Sequence, residues 1–409
     1  MSLITIISII IIVLATTDFM FPNMPRLKND IFKVSFFLTY FLFTIKYYYG
    51  PDINQYVPNY IETESLTYAF NHLSNLQFES GYNLFCGLLR SLGCSFWCMT
   101  AVISTIYFGA IYALFKQLKS KKTFALMILV VLDNALMYAA LRQSLSIACF
   151  IFMILALQKK DYLATIVCAV LSILFHKSAM FVIPPTLLIF AITNSNLKQY
   201  TFELLLLLLC VLVVVPLINI INPVIELLPL SSAIEKSIEH HLLLGRAVQV
   251  VFLLYFVALL CINYFNANNS SRNDIIKISV VVGFIFIVCF YQYYYVLNRI
   301  RSFFIPLILL YTINQTHQYF QNKSLSIPYS KIIKQLSVLY IFVYVTFLTY
   351  TQENSFRQTI SQIHDCTTIF DLLRYDKNTL QQRQLKKAKT FWDRDFMSET
   401  NNLIDKSHD

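Results

Sequence analysis

Residues 95–115 read SFWCMTAVISTIYFGAIYALF, without a single charge. The hydrocarbon core of a bilayer is about 30 Å thick and takes roughly 20 apolar residues as a helix. This stretch therefore predicts a membrane-spanning helix. Carried along the chain, the same length criterion marks about twelve spans: 3–22, 31–49, 95–115, 123–141, 143–157, 161–176, 178–193, 201–221, 246–265, 275–294, 299–314 and 336–350. Met1-Ser2-Leu3-Ile4 is apolar at once, with no basic segment ahead of it and no small-x-small cleavage pattern. The first span is expected to be retained rather than removed as a signal peptide. The fold class is an all-α polytopic membrane protein. Residues 1–350 form the membrane domain and 351–409 a polar tail.

Composition agrees. Of 409 residues, 57% are hydrophobic and only 13% charged, against about 25% charged in an average soluble domain. A disordered chain, a disulfide-rich secreted scaffold and a cytosolic enzyme are excluded. Cys149, Cys168, Cys210, Cys261 and Cys289 lie inside apolar runs and read as small hydrophobes. The net charge of +10 does not point to nucleic acid, because basic loops orient membrane proteins.

The loops after the odd-numbered spans carry fifteen Lys and Arg, among them Arg26, Lys28, Lys116, Lys119, Lys121, Lys122, Lys159 and Lys160; the opposite loops carry eight. By the positive-inside rule the first set is cytoplasmic. The two longest inter-span loops, 50–94 and 222–245, then face outward. In the first, Leu66, Phe70, Leu73 and Leu76 recur at helical spacing, as do Tyr82, Phe85, Leu88, Leu89 and Leu92. Both stretches predict amphipathic helices lying in the outer interface.

The polar residues of the chain gather at the outer ends of the spans. Arg142-Gln143 opens span five, where an arginine opposes the charge bias and costs free energy near lipid. Asn298-Arg299-Ile300-Arg301 opens span eleven; residues 299 and 301 do not share a helix face, so one arginine is expected to turn inward. Arginine grips phosphate with a planar, permanently charged fork. Outward arginines in a membrane protein suggest a lipid-linked phosphate or pyrophosphate. Three groups could take a proton from a hydroxyl: Asp52 beyond span two, Glu79 in Glu79-Ser80-Gly81-Tyr82, and His176 in His176-Lys177-Ser178. Each also has a plain structural reading, as a turn residue, a solvated charge or a helix cap. Asp133-Asn134 falls inside span four, as an acid for function or for holding helices together. Tyr47-Tyr48-Tyr49 and Tyr293-Tyr294-Tyr295 read as an aromatic belt or as platforms for sugar rings. His240-His241 does not make a metal cluster, since adjacent histidines point apart on a helix.

In this order, Asp52…Tyr56, Glu79-Ser80-Gly81-Tyr82, Leu141-Arg142-Gln143-Ser144-Leu145-Ser146, Phe175-His176-Lys177-Ser178 and Asn298-Arg299 resemble the motifs of the EpsG family, exopolysaccharide polymerases akin in role to the Wzy O-antigen polymerases. The resemblance extends from residue 50 to about 301. It implies a glycosyltransferase of the bacterial inner membrane with its site facing outward. Such an enzyme moves a growing glycan from undecaprenyl pyrophosphate to the sugar of an incoming lipid-linked repeat unit. Asp52, Glu79 and His176 are then the catalytic candidates. Arg142, Gln143, Arg299 and Arg301 are the pyrophosphate ligands, and Tyr56, Tyr82 and Tyr295 the sugar contacts. No metal and no cofactor are expected. The expected partners are the lipid-linked repeat units, membrane lipid and a chain-length regulator. A ligase with the same donor, and a flippase for lipid-linked oligosaccharide, remain the alternatives.

Overall fold

The computed structural model describes residues 3–21, 24–46, 52–193, 275–289, 294–322 and most of 369–382. Among these, the regular structure is helical and no β-strand occurs. Helices α1 (Leu3–Met20) and α2 (Pro25–Thr44) precede three short ones, α3 (Ile53–Glu62), α4 (Leu66–Asn71) and α5 (Ser80–Ser91). Then come α6 (Phe96–Phe115), α7 (Lys122–Ala139), α8 (Leu141–Gln158), α9 (Tyr162–Phe175) and α10 (Ala179–Thr193). After these follow α11 (Ile275–Cys289), α12 (Tyr294–Asn322) and a 3-10 turn at Ile369–Leu373. By length and apolar composition α6 and α8 can each cross a bilayer, while α9 and the start of α10 are shorter apolar helices. The spans expected at 201–221, 246–265 and 336–350, and the loop at 222–245, lie outside the described residues.

Several bounds differ from the expected ones for physical reasons. Helix α2 begins at Pro25, not at 31. Proline is tolerated in a first helical turn, and the charged first turns, with the Lys33–Asp30 ion pair, need not lie in lipid. The loop 50–94 holds three helices, not two. Helix α3 is the unexpected one, because Pro58 inside it reads as a breaker. The helix expected from Leu66 to Leu76 stops at Asn71, where His72, Ser74 and Asn75 form turns instead.

Helices packed in lipid gain little from apolar burial against one another, so close approach and polar contacts decide their register. Helix α9 illustrates this. Its small and polar residues Thr165, Ala169 and Ser172 are buried, while Leu163, Ile166, Val167, Val170, Leu171 and Leu174 are exposed. That is the reverse of a soluble amphipathic helix. The buried stripe packs along α8, where Ser146 Oγ donates to the Ser172 carbonyl at 2.7 Å and Ser172 Oγ donates to the Ser146 carbonyl at 2.8 Å. Helix α8 in turn packs on α6 and α12, with Phe150 edge-on to Phe303 and Phe304 at 5.6 and 5.7 Å. Gly283 of α11 lies so near Phe304 that a Cβ there would sit 2.6 Å from the ring.

The bundle has two chemically distinct ends. At one, the Asp18 carboxylate at the close of α1 accepts the Phe124 N–H at 2.9 Å. Lys121 lies over the Phe19 ring, Gln117 of the α6–α7 loop pairs with Gln158 at the end of α8, and Asn314 of α12 bonds to Gln117 and Lys119. This basic end collects the lysine-rich loops. The other end collects α3, α4 and α5, the start of α8, the end of α9 and the start of α12. Here a second core forms from Ile53, Tyr56, Tyr60, Phe78, Tyr82, Phe96, Leu145 and Phe175, joined by Leu380 from far along the chain.

Candidate functional site

The serine pair between α8 and α9 sets the site. These helices are antiparallel neighbours, and one turn beyond Ser146 and Ser172 toward the second core stand Arg142 and His176. The register thus brings together two motifs that are 34 residues apart.

Helix α5 delivers the next group. A Cβ on Gly81 would lie 2.6 Å from Leu174 Cβ and 2.7 Å from the Leu174 carbonyl oxygen, so only glycine lets α5 begin against the end of α9. Glu79 is the N-cap of α5 and pairs with the Arg142 guanidinium, Nη1 to Oε2. Its other oxygen accepts the Lys177 backbone N–H at 3.4 Å. Phe78 places its ring 4.1 Å from Arg142 Cζ, and the Tyr56 ring lies at 5.7 Å. Both distances suit cation–π attraction. Arg142 Nε also donates to the Tyr56 hydroxyl at 3.5 Å. The guanidinium is therefore fixed by a carboxylate, a phenol and two aromatic faces.

Asp52, one turn before Tyr56, caps α3 without any side-chain hydrogen bond to the helix. Among the described residues its carboxylate makes no hydrogen bond and no ion pair, although it feels the charges of Arg142 and Arg299. Burial raises its pKa above the ordinary 3.8, against the pull of those two arginines. Burial, the largest single influence, pushes Glu79 the same way, but the Arg142 charge, the hydrogen bonds from its own backbone and from Arg142, and His176 together outweigh it and hold this carboxyl below the ordinary 4.5. Tyr56 is pushed up to about 12, first by burial and then by the Asp52 charge, and stays a phenol. His176 is buried and falls to about 4: burial comes first, and Arg142, Arg299 and Lys177 act with it, while Glu79 opposes them. Its Nδ1 lies 3.1 Å from the Ser178 N–H and 2.6 Å from Ser178 Oγ.

Gln143 is buried, and its Nε2 donates to the Arg299 carbonyl at 2.7 Å, tying the start of α8 to α12. Of the two arginines on α12, Arg301 turns into the protein and Arg299 is exposed, as expected for positions that do not share a face. Tyr82 is fully buried, edge-on to Phe78 and tilted against Tyr56, so it builds the floor of the cluster rather than its surface. The side chains of Tyr295, Asp133 and Asn134, and all of 47–51, lie outside the described residues. Phe78 adjoins the Glu79 motif but does not stand out in the sequence, and Gly81 and Ser178 stand within the sequence motifs without the roles the structure gives them.

The assembled groups are one pinned guanidinium, a second, exposed arginine across Gln143, an unengaged carboxylate and an imidazole. This set can bind a phosphate-bearing ligand and accept a proton beside it. No curated protein and no solved structure matches the chain. The model of the EpsG family, Wzy-like polysaccharide polymerases and glycosyltransferases, matches residues 29–361, and the chain belongs to that family.

Proposed function

We propose that this protein is a polysaccharide polymerase of about twelve spans in the bacterial inner membrane. It transfers a growing glycan from undecaprenyl pyrophosphate to a sugar hydroxyl of an incoming lipid-linked repeat unit. The site end faces outward, opposite the basic loops. The observation that carries the reading is the pinned Arg142, held by Glu79 and Phe78 beside the unengaged Asp52.

In the proposed step the acceptor oxygen bonds to the anomeric carbon as the bond from that carbon to the pyrophosphate oxygen breaks. The acceptor proton passes to the Asp52 carboxylate. A carboxylate raised by burial is a stronger base than an ordinary aspartate, and among the described residues it has no competing hydrogen bond. The departing pyrophosphate gathers negative charge, which Arg142 and Arg299 neutralise. Glu79 orients Arg142 and is spent on that ion pair. Exposed apolar residues of α9 and α10, such as Leu163, Val170, Phe181 and Leu188, suit surrounding lipid and a lipid-borne donor.

The test is a gel of surface polysaccharide from cells lacking the protein, complemented with wild type, Arg142→Ala or Arg142→Lys. A ladder from wild type and single repeat units from both membrane-inserted variants is the expected result. Full-length polymer from Arg142→Ala would refute the reading. Loss of all surface glycan in the deletion strain, with lipid-linked units trapped inside, would point to a flippase. Long chains still forming on the carrier would point to a ligase.

A further inference from the structure

We infer that His176 serves this site as a neutral hydrogen-bond donor, presenting Nε2–H to a diphosphate oxygen of the bound donor, and not as the base that takes the acceptor proton. The inference rests on the glycosyl-transfer reading above and divides its three candidate proton acceptors.

The geometry at Nδ1 carries it. A backbone N–H can only donate, and the Ser178 N–H lies 3.1 Å from Nδ1. Nδ1 must therefore offer a lone pair, and Ser178 Oγ at 2.6 Å adds a second donor to it. A neutral imidazole bare at Nδ1 carries its proton on Nε2. Ionising the ring would require a proton on Nδ1, which would turn the Ser178 hydroxyl into an acceptor and set two N–H groups, that of Ser178 and that of the ring, against each other. The surroundings agree: the ring is buried, and Arg142, Arg299 and Lys177 all disfavour a further positive charge, with only Glu79 opposing. Glu79 is itself engaged by Arg142 and by the Lys177 N–H. Among the described residues Nε2 has no hydrogen-bond partner, so its proton is free for a ligand. The imidazole has no spare lone pair, whereas Asp52 has several. A neutral donor also suits the place. Beside two arginines it adds a hydrogen bond to the developing negative charge without adding a third cation.

The division of labour can be read with three substitutions and one spectrum. In His176→Gln the amide nitrogen stands near the former Nε2. In His176→Asn the side chain reaches only as far as Nδ1 and can keep the contact to Ser178. His176→Ala keeps neither. Polymer formed per inserted protein is expected to fall about a hundredfold in the Ala and Asn variants, the loss typical of removing one such donor. The Gln variant is expected to stay within about tenfold of wild type. Protein labelled with ¹⁵N-histidine should show, at neutral pH, one Nε2–H tautomer whose signals vanish in His176→Gln.

Wild-type polymer from His176→Asn would overturn the inference in favour of helix capping alone. Inactivity of the inserted Gln and Asn variants alike would overturn it in favour of a base. A protonated ring or an Nδ1–H tautomer would overturn it directly. Failure of the wild-type protein to make polymer is a different result and refutes the glycosyl-transfer reading itself. The spectrum reports on the ring whichever reaction the site performs.

Discussion

Replacing Gly81 with alanine tests whether the close contact between α5 and α9 sets the site. The new Cβ would meet Leu174 at 2.6 Å, where ordinary contact begins at 3.4 Å, so the start of α5 must retreat by about 0.8 Å. Two of the three nearest atoms are backbone and the third is a Cβ, so Leu174→Ala gives no relief. Glu79 moves with the helix end, and its 3.4 Å contact to the Lys177 N–H opens beyond hydrogen-bonding range. Overpacking of this kind costs about 1–3 kcal/mol. Alanine returns up to about 1 kcal/mol through helix propensity. The net loss of stability is therefore modest, about 1 kcal/mol. The loss of activity is larger, because a catalytic group displaced by about 1 Å can lose a hundredfold in rate. Gly109 of α6, with nothing within 4 Å of its would-be Cβ, is the control. The assay is polymer formed per inserted protein, beside the thermal midpoint in detergent. Full activity in Gly81→Ala would refute the proposed coupling of helix contact to site. Equal losses in Gly81→Ala and Gly109→Ala would refute its locality.

Four further outcomes follow from the geometry. Glu79→Gln leaves the guanidinium of Arg142, only 20% exposed, without its counter-charge, and is expected to lower stability by about 2 kcal/mol as well as activity; unchanged melting would exclude a structural ion pair. Asp52→Asn is expected to cost between about a hundredfold and ten-thousandfold in rate. In wild type the rate is expected to fall with acid at a pH above the ordinary aspartate value of 3.8, because the base must be ionised; a wild-type profile in Asp52→Asn would rule this residue out. The depression of His176 from 6.5 to about 4 means that the unfolded chain binds its proton first as pH falls. Stability is then complete above pH 6.5 and declines by about 3 kcal/mol toward pH 4, a slope that should flatten in His176→Asn if measured by melting across that range. Ser146→Ala and Ser172→Ala should each cost about 1 kcal/mol, with the double variant less than additive, since each hydroxyl bonds the other's helix; strict additivity would argue against the shared contact.

Much of this arrangement was legible from residue order. Uncharged runs marked the helices because lipid admits few charges. Arg142 and His176 stood out because each polar residue in such a chain needs a reason. Their meeting was not legible, because it depends on the register of α8 against α9. That register is fixed by Ser146, which lies in the Arg142 motif, and by Ser172, which reads as an ordinary small residue. Helix α3 was hidden by Pro58. The close approach at Gly81 depends on where Leu174 falls in another helix, a distance that no local pattern encodes. Arg299 and Arg301 were separable in advance, since two residues apart on a helix they cannot face the same way.

The presence of Leu380 in the core at the site end bears on how the molecule is made. Among the described residues, that core draws on Ile53 and on a residue 327 positions later, whereas the contacts at the basic end reach no further than α12, with Asn314. During synthesis the described contacts of the basic end can therefore form while the site end still lacks a contributor. A chain stopped just after α12 would keep every long described helix and lose Leu380 from the core that holds Tyr56. Of the described bundle, the site end would be the last part to set, and the first to loosen when residues beyond 369 are removed.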